Sequence, residues 1–316
     1  MKELKTLFYD SKHIVIIGAT GKVAHSVIKL FGSMDNIKLT LFSNSLQNQI
    51  EMRNGLCYEK TNYENIYPLK NKIIELNPNI IINLAAMTDV DGCEKDMKLA
   101  FNLNMILPSE LSKLSAEIGA KFIHISTDYI FDGKDGPYTE YDSPNPQSVY
   151  GKSKLYGESE ALSKNDDTVI LRTNVVYGYS YPQKNDFVTW VINNAKKQIA
   201  FSVVNDQYSN PTLTDDIALT IEEMIRTDFK GILNIGGSDY CDRLTFAKNI
   251  CNVFNLDSSL IKPISTNSLN QIARRPLYGG LKIDKLNYQF KIFPKNTVEG
   301  LKILKGYMDE NNRVSL

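Results

Sequence analysis

The chain has 316 residues, and its 36 lysines and arginines are balanced by 36 aspartates and glutamates. That balance gives no overall field to recruit nucleic acid or an anionic membrane, so an anionic ligand must be met by locally placed groups. A hydrophobic content of 42%, three histidines and four scattered cysteines without a C-x-x-C pair argue for a folded chain with a large core in two lobes, and against a disulfide scaffold or a zinc site.

The first apolar run, His13 to Ile17, is too short and too late for a signal peptide. No later run approaches the roughly 20 residues of a membrane helix, so a cytoplasmic protein without membrane contact is expected. His13–Ile17 reads instead as a buried strand. Gly18-Ala-Thr20-Gly21-Lys22-Val23-Ala24 follows it, and then Val27, Ile28, Leu30 and Phe31 fall at helical spacing. Strand, glycine turn and helix open a dinucleotide-binding fold, where a pyrophosphate rests on the helix N-terminus. Gly18, Thr20, Gly21, Lys22 and Val23 are the candidate cradle.

Lys38 to Phe42 is the second strand and ends at Ser43-Asn44, where NAD-preferring folds place an acid for the ribose 2′-hydroxyl. No acid stands there. The pattern therefore favours NADPH over NADH, with Arg53 the nearest candidate for a 2′-phosphate. A short third strand and a turn occupy Leu56 to Tyr63, and a helix from Tyr67 to Leu76 is capped by Asn77-Pro78-Asn79. Ile80 to Leu84 is a strongly apolar strand. It ends in Ala85-Ala86-Met87, small residues first, which lets a cofactor approach the backbone. Asp89 to Glu94 reads as a turn with helix-start acids, the alternative being a carboxylate cluster for a metal. Ala100, Leu103, Ile106 and Leu107 form a helix face that carries Asn104.

Phe122 to Ile125 reads as a buried strand that ends at Ser126-Thr127-Asp128. A turn-rich loop leads to Tyr150-Gly-Lys-Ser-Lys154 at the start of a helix. Four residues apart, Tyr150 and Lys154 share one helix face. A free tyrosine has a pKa of about 10, and a neighbouring ammonium favours the phenolate, which suits Tyr150 to general acid/base work on a carbonyl–alcohol pair. A hydroxyl from Ser126 or Thr127 could hydrogen-bond the reacting oxygen. Val169 to Thr173 adds a further strand, extended by Asn174 to Gly178, and completes an alternating β–α series of at least six strands. Beyond Gly178 a polar loop leads to an amphipathic helix, Asp186 to Asn194, which carries the only tryptophan, Trp190, read as packing. Strands are expected at Phe201–Val204 and from Gly231, and a helix from Asp215.

The blocks S-T-D-Y-I-F-D-G (126–133) and Y-G-K-S-K-L-x-G-E (150–158) closely resemble the dTDP-4-dehydrorhamnose reductase branch of the extended short-chain dehydrogenases/reductases. The resemblance runs over about residues 12–300 and includes the G-x-x-G-x-x-A turn, Asn83-x-Ala85-Ala86 and the A-x-R-P of Ala273–Pro276. It implies an α/β fold, a doubly wound parallel sheet with a smaller C-terminal substrate lobe. Residues 1–173 would form the Rossmann domain and 174–316 mainly the substrate lobe, with segments of about 200–236, the Phe201 strand among them, rejoining the main sheet. It implies NAD(P)H-dependent reduction of a 4-keto-6-deoxy sugar on a nucleoside diphosphate.

Carried over by position, Tyr150 protonates the carbonyl oxygen, Lys154 tunes Tyr150 and holds the nicotinamide ribose, and Thr127 hydrogen-bonds the substrate oxygen beside Asp128. Asn62 and Tyr63 lie against the adenine, Ala85, Ala86 and Met87 line the cofactor, and Asn104 sits near the catalytic residues. Asn174, Val175 and Arg275 face the substrate, Val175 standing where rhamnose reductases carry a tryptophan. Ser26 occupies the position of a magnesium-binding glutamate in some members, so no metal is expected. A homodimer is compatible with this fold. Two alternatives remain: an epimerase or dehydratase of the same superfamily, and a non-catalytic regulator like the methionine adenosyltransferase β subunit, which keeps Y-x-x-x-K.

Overall fold

The computed structural model describes residues 10–46, 50–53, 56–180 and 184–314, with backbone alone at 50–53 and 311–314. Eight strands build the main sheet: β1 (Lys12–Ile17), β2 (Ile37–Ser43), β3 (Ile50–Arg53), β4 (Leu56–Lys60), β5 (Ile80–Asn83), β6 (Lys121–Thr127), β7 (Thr168–Thr173) and β8 (Gly231–Asn234). Their order is β8-β7-β6-β5-β1-β2-β4-β3, all parallel except β3, which pairs antiparallel with β4 at the edge. The side chain of Arg53, named above for a 2′-phosphate, lies outside the described residues.

Central strands of a parallel sheet are covered on both faces, which is why they read as continuous apolar runs. Ile14 and Ile16 of β1 join Leu41, Ile82, Ile123 and Leu171 in one core layer, under helix α1 (Lys22–Phe31). Val15 and Ile17 join Ile81, Phe122 and Ile170 in the other, under Tyr67–Leu76 and Leu107–Glu117. The chain leaves β1 towards β2 on one side and returns to β5 on the other. This reversal puts a crevice at the carboxyl ends of β1 and β5, where such folds bind nucleotides.

A third core belongs to the C-terminal segments, with Tyr177, Val188, Ile192, Phe201, Phe246, Ile250 and Leu301 buried together. The Phe201–Val204 strand was expected to rejoin the main sheet. It pairs instead with Ile261–Ile264 in a separate two-stranded sheet. The place beside β7 is taken by β8, whose Ile232 and Leu233 lie opposite Ile170 and Leu171, while Phe201 and Val203 bury into the third core. Of the 200–236 segment, only 231–234 joins the main sheet. Trp190 is 41% exposed, packs on Phe187 and Phe201, and so sits at the rim of that core.

Candidate active site

The cofactor side begins at Gly18, whose φ of +83° suits glycine alone; a Cβ there would lie 2.6 Å from the Ala85 nitrogen. β1 and β5 therefore end in near contact. The Gly18 N–H donates to the Tyr63 hydroxyl at 2.9 Å, so buried Tyr63 props the turn; burial pushes its phenol far above the ordinary value. Helix α1 has no side-chain cap on Gly21 and no acid in its first turn, which leaves its first N–H groups open to an anion. Thr20 Oγ1 lies 2.7 Å from Ser43 Oγ and 2.8 Å from Ser45 Oγ, an uncharged hydroxyl cluster at the end of β2. Asn44 is exposed beside it, and Asn62 uses its side-chain oxygen to accept the Glu64 N–H at 2.8 Å.

Two cradle residues have additional duties. The Lys22 ammonium pairs with Asp186 at 2.6 Å and donates to the Lys184 carbonyl, which ties α1 to the C-terminal lobe, and Val23 packs against the core. Buried Ser26 donates to Asp215 Oδ1 at 2.7 Å, lies 2.7 Å from the Thr214 hydroxyl, and faces helix Thr214–Arg226 of its own chain. Among the described residues no cluster of three or more histidine, cysteine or acidic side chains could hold a metal ion.

The segment after β5 lies between the Gly18 turn and Asn104. Asn104 is fully buried in a π-helical segment, Asn102–Ile106, and its amide is completely engaged. It accepts the Met87 N–H at 2.9 Å and donates to the Met87 carbonyl and to Ser153, both at 3.0 Å. Asn104 thus couples the Ala85–Met87 segment to helix α2 (Val149–Lys164). The helix lies so close there that a Cβ on Gly157 would be 2.0 Å from the Asn104 carbonyl oxygen, which explains that glycine in the motif.

Ser148 caps α2 by accepting the Gly151 N–H at 3.1 Å and sets Tyr150 in the first turn. Tyr150 is 9% exposed and meets Tyr129 edge-on, with ring centroids 5.5 Å apart. Burial pushes its phenol well above the ordinary value, opposed by the Thr127 hydroxyl. Thr127 also accepts the Tyr129 N–H at 3.2 Å. Lys154 does not reach for Tyr150. Its ammonium donates to the Ile125 carbonyl at 2.5 Å and lies 3.1 Å from His124 Nε2. His124 Nδ1 is 3.1 Å from the Asn83 amide, whose oxygen accepts the Ala85 N–H at 3.1 Å. Burial lowers Lys154 to about 8 and holds His124 well below its ordinary value, so the imidazole is neutral. The tuning of Tyr150 thus comes from Thr127, and Lys154 is braced from beneath by His124 and, through it, Asn83. One turn on, Glu158 makes a buried bidentate pair with Arg172 of β7 and fixes the helix on the sheet.

On the substrate side, Asp128 is buried; its Oδ2 accepts the Gly280 N–H at 2.9 Å, and burial pushes its carboxyl up to about 6. Asn174 follows β7, its side-chain Oδ1 accepting the Asn210 N–H while its Nδ2 has no protein partner among the described residues. Ser126 Oγ and Thr173 Oγ1, at neighbouring strand ends, are likewise buried without one. Val175 holds φ at +41°, a strained value for a β-branched residue, which such sites commonly store. Arg275 Nη1 pairs with Asp91 at 3.0 Å. Burial tends to raise Asp91, but the Ala273 N–H and Arg275 outweigh it and hold the carboxyl below its usual value. The structure thus gathers Thr127, Asp128, Tyr150, Lys154, Asn174 and Val175 at the ends of β6 and β7, with Arg275 reaching in from the C-terminal lobe. His124 carried no sequence signal, because it matters only through Asn83 and Lys154, partners distant in the chain, and Asn83 was marked only as part of its N-x-A-A motif.

The chain matches the family described as the RmlD substrate binding domain over residues 12–306. It is 37% identical over 238 residues to the dTDP-4-dehydrorhamnose reductase of Sinorhizobium fredii, covering 72% of this chain and 79% of that protein. It is 31% identical over 282 residues to methionine adenosyltransferase 2 subunit beta of Rattus norvegicus, covering 87% of this chain and 82% of that one. Among solved structures, the dTDP-4-dehydrorhamnose reductase of Bacillus anthracis in complex with NADP superposes with a TM-score of 0.82 at 29% identity, covering 93% of this chain and 98% of that one.

Proposed function

We propose that this chain, which belongs to the RmlD substrate binding domain family, reduces the 4-keto group of a nucleoside-diphosphate 4-keto-6-deoxy sugar with NADPH or NADH. The observation that carries this reading is the convergence of Thr127, at the carboxyl end of β6, with Tyr150 and Lys154 of α2, whose ammonium donates to the Ile125 carbonyl of β6. The residues on the cofactor side suit a dinucleotide: an uncapped helix end, a close-approach glycine and the neutral Thr20–Ser43–Ser45 hydroxyls. A reduced nicotinamide bound there supplies the hydride.

The remaining steps fall to the chain's own groups. As hydride adds to the keto carbon, Tyr150 gives its proton to the oxygen and is left a phenolate. A phenol kept protonated by burial is suited to that donation. Thr127 hydrogen-bonds the same oxygen and steadies its developing charge. Lys154 holds the nicotinamide ribose and stabilises the phenolate. Asp128, Asn174 and Val175 line the sugar. The zero net charge supports no nucleic-acid partner, and no described helix is long and apolar enough to cross a membrane.

The test is NADPH oxidation across a panel of 4-keto-6-deoxy nucleotide sugars, with the product identified as the 4-hydroxy sugar. Turnover with at least one member is expected; silence across the panel sinks the reading. A second reading follows from the similarity to the methionine adenosyltransferase subunit. Copurification with a synthetase, together with that silence, would favour it.

A further inference from the structure

Two arginines approach the substrate side, and they are not equivalent. Arg275, the arginine of the A-x-R-P segment, is already engaged. Its Nη1 donates to Asp91 Oδ1 at 3.0 Å and to the Ala273 carbonyl at 2.9 Å, and Asp91 also accepts the Ala273 N–H. Its charge is answered within the protein, and the result is a folded-back 273–275 turn.

Arg243, the first residue of helix Arg243–Phe254, differs. Its backbone N–H donates to the Gln207 carbonyl at 3.1 Å, yet among the described residues its guanidinium has neither a hydrogen bond nor an ion pair. It is half-buried, its carbon 4.9 Å from the ring centroid of Phe187, a face contact that orients the plane but satisfies none of its five N–H donors. The charged and titratable groups that feel it are Asp128, Tyr129, Cys241 and Arg275, so it stands between the catalytic strand end and the C-terminal lobe. Asp128 is the only carboxylate among them. Its two oxygens are taken by the Gly280 N–H at 2.9 Å and the Thr127 hydroxyl at 3.4 Å. A second guanidinium close by adds repulsion. A cation oriented by an aromatic face, set beside another cation and left without a carboxylate, is arranged for an anion from outside.

We propose that Arg243, rather than Arg275, receives the negative charge of the nucleotide-sugar's diphosphate, and that Arg275 is a positioning residue that folds its loop through Asp91. The proposal rests on the nucleotide-sugar reading above and adds the residue that selects a diphosphate-linked sugar over a free one.

The experiment measures thymidine diphosphate, uridine diphosphate and NADP binding by calorimetry to wild type, Arg243→Gln, Arg243→Lys and Arg275→Gln, with thermal unfolding as a folding control. Removing one charge-assisted hydrogen bond weakens binding by roughly 10- to 100-fold. Arg243→Gln should weaken nucleoside-diphosphate binding by about that factor while NADP affinity stays within about twofold, and raise KM with kcat largely kept. Arg243→Lys should recover part of the loss, because it restores the charge without the fork, and it serves in place of Arg243→Gln should that variant not fold. Arg275→Gln should cost less than Arg243→Gln. Equal diphosphate binding by wild type and Arg243→Gln overturns the proposal and leaves the reductase reading standing. Loss of NADP binding in step with diphosphate binding also overturns it, since the anion would then be the cofactor's. Wild type binding neither nucleoside diphosphate removes the nucleotide-sugar reading and this proposal with it.

Discussion

The two halves of the site are built on different principles. The cofactor half is assembled from residues adjacent in sequence at the ends of neighbouring strands: Gly18 to Val23 after β1, Ser43 to Ser45 after β2, Ala85 to Met87 after β5. Gly18 and Ala85 meet backbone to backbone, and the Tyr63 hydroxyl and the Asn104 amide brace the same segments through their backbone groups. The half proposed to hold the substrate draws Asp128, Asn174, Val175, Arg243 and Arg275 from distant parts of the chain, and its polar atoms are partly unanswered. A pyrophosphate is the same in every dinucleotide, so a rigid backbone cradle suffices for it. A sugar must be distinguished from other sugars, and that takes side chains converging from many directions. Tyr150 and Lys154 sit where the halves meet, so their variants test whether the division is real.

The largest expected effect is on the chemistry alone. Tyr150→Phe keeps the ring against Tyr129 but removes the proton donor, and general acid catalysis is typically worth about 10²–10⁴-fold. Single-turnover reduction should slow by that factor while NADPH affinity, measured separately, is unchanged. Near-wild-type turnover in this variant would remove Tyr150 from the role of acid, and a weakened cofactor would show that the halves are not separable at this residue.

Lys154→Met should fail in both halves, and not additively with Tyr150→Phe, since both act on one proton transfer. It should also move stability in the opposite direction. Burial lowers Lys154 to about 8 from its ordinary value near 10.5, so the fold favours the neutral amine. The stability tied to that shift is fully present above the unfolded pKa and is lost as pH falls through the folded one. At pH 7 the buried ammonium is therefore a liability, on the order of 1–3 kcal/mol, and methionine removes it. Urea unfolding should find Lys154→Met more stable than wild type at pH 7, with the gap closing towards pH 10. A variant less stable than wild type at pH 7 would mean that the Ile125 and His124 contacts outweigh the desolvation.

The same contrast explains what could be read from the sequence. Strand–turn–helix at 13–31, the S-T-D strand end and Y-x-x-x-K all lie within short spacings, where periodicity and turn chemistry act directly. His124 reads as one more strand residue because its partners Asn83 and Lys154 lie 41 and 30 positions away. The π-helical segment that aims Asn104 inserts one residue per turn without disturbing the apolar pattern around it, so nothing marks it in advance. Strand Ile50–Arg53 has only four residues, too short a run for periodicity to mark it. The Phe201 strand shows the limit from the other side. Its apolar residues announced burial, but not whether the sheet or the third core would receive them.

The smallest expected effect lies in the cofactor half, and it sharpens the comparison most, because there backbone contacts should leave only modest room for side chains. The end of β2 carries Thr20, Ser43 and Ser45, linked through their hydroxyls at 2.7–3.1 Å and bearing no charge. A ribose 2′-phosphate placed beside them meets no like charge, while a 2′-hydroxyl meets no acid to bind it. NADPH should therefore bind at least as tightly as NADH when both are titrated at one ionic strength. Ser45 is exposed, so Ser45→Asp adds a carboxylate there without a burial cost. That change should weaken NADPH by up to about tenfold, ~1.4 kcal/mol, leave NADH equal or slightly tighter, and lose its effect in high salt, as exposed charges do. NADH binding tenfold tighter than NADPH to the wild type would sink the preference. A Ser45→Asp variant that weakened both cofactors equally would place the 2′ position elsewhere and make the hydroxyl cluster a structural feature of the β2 turn.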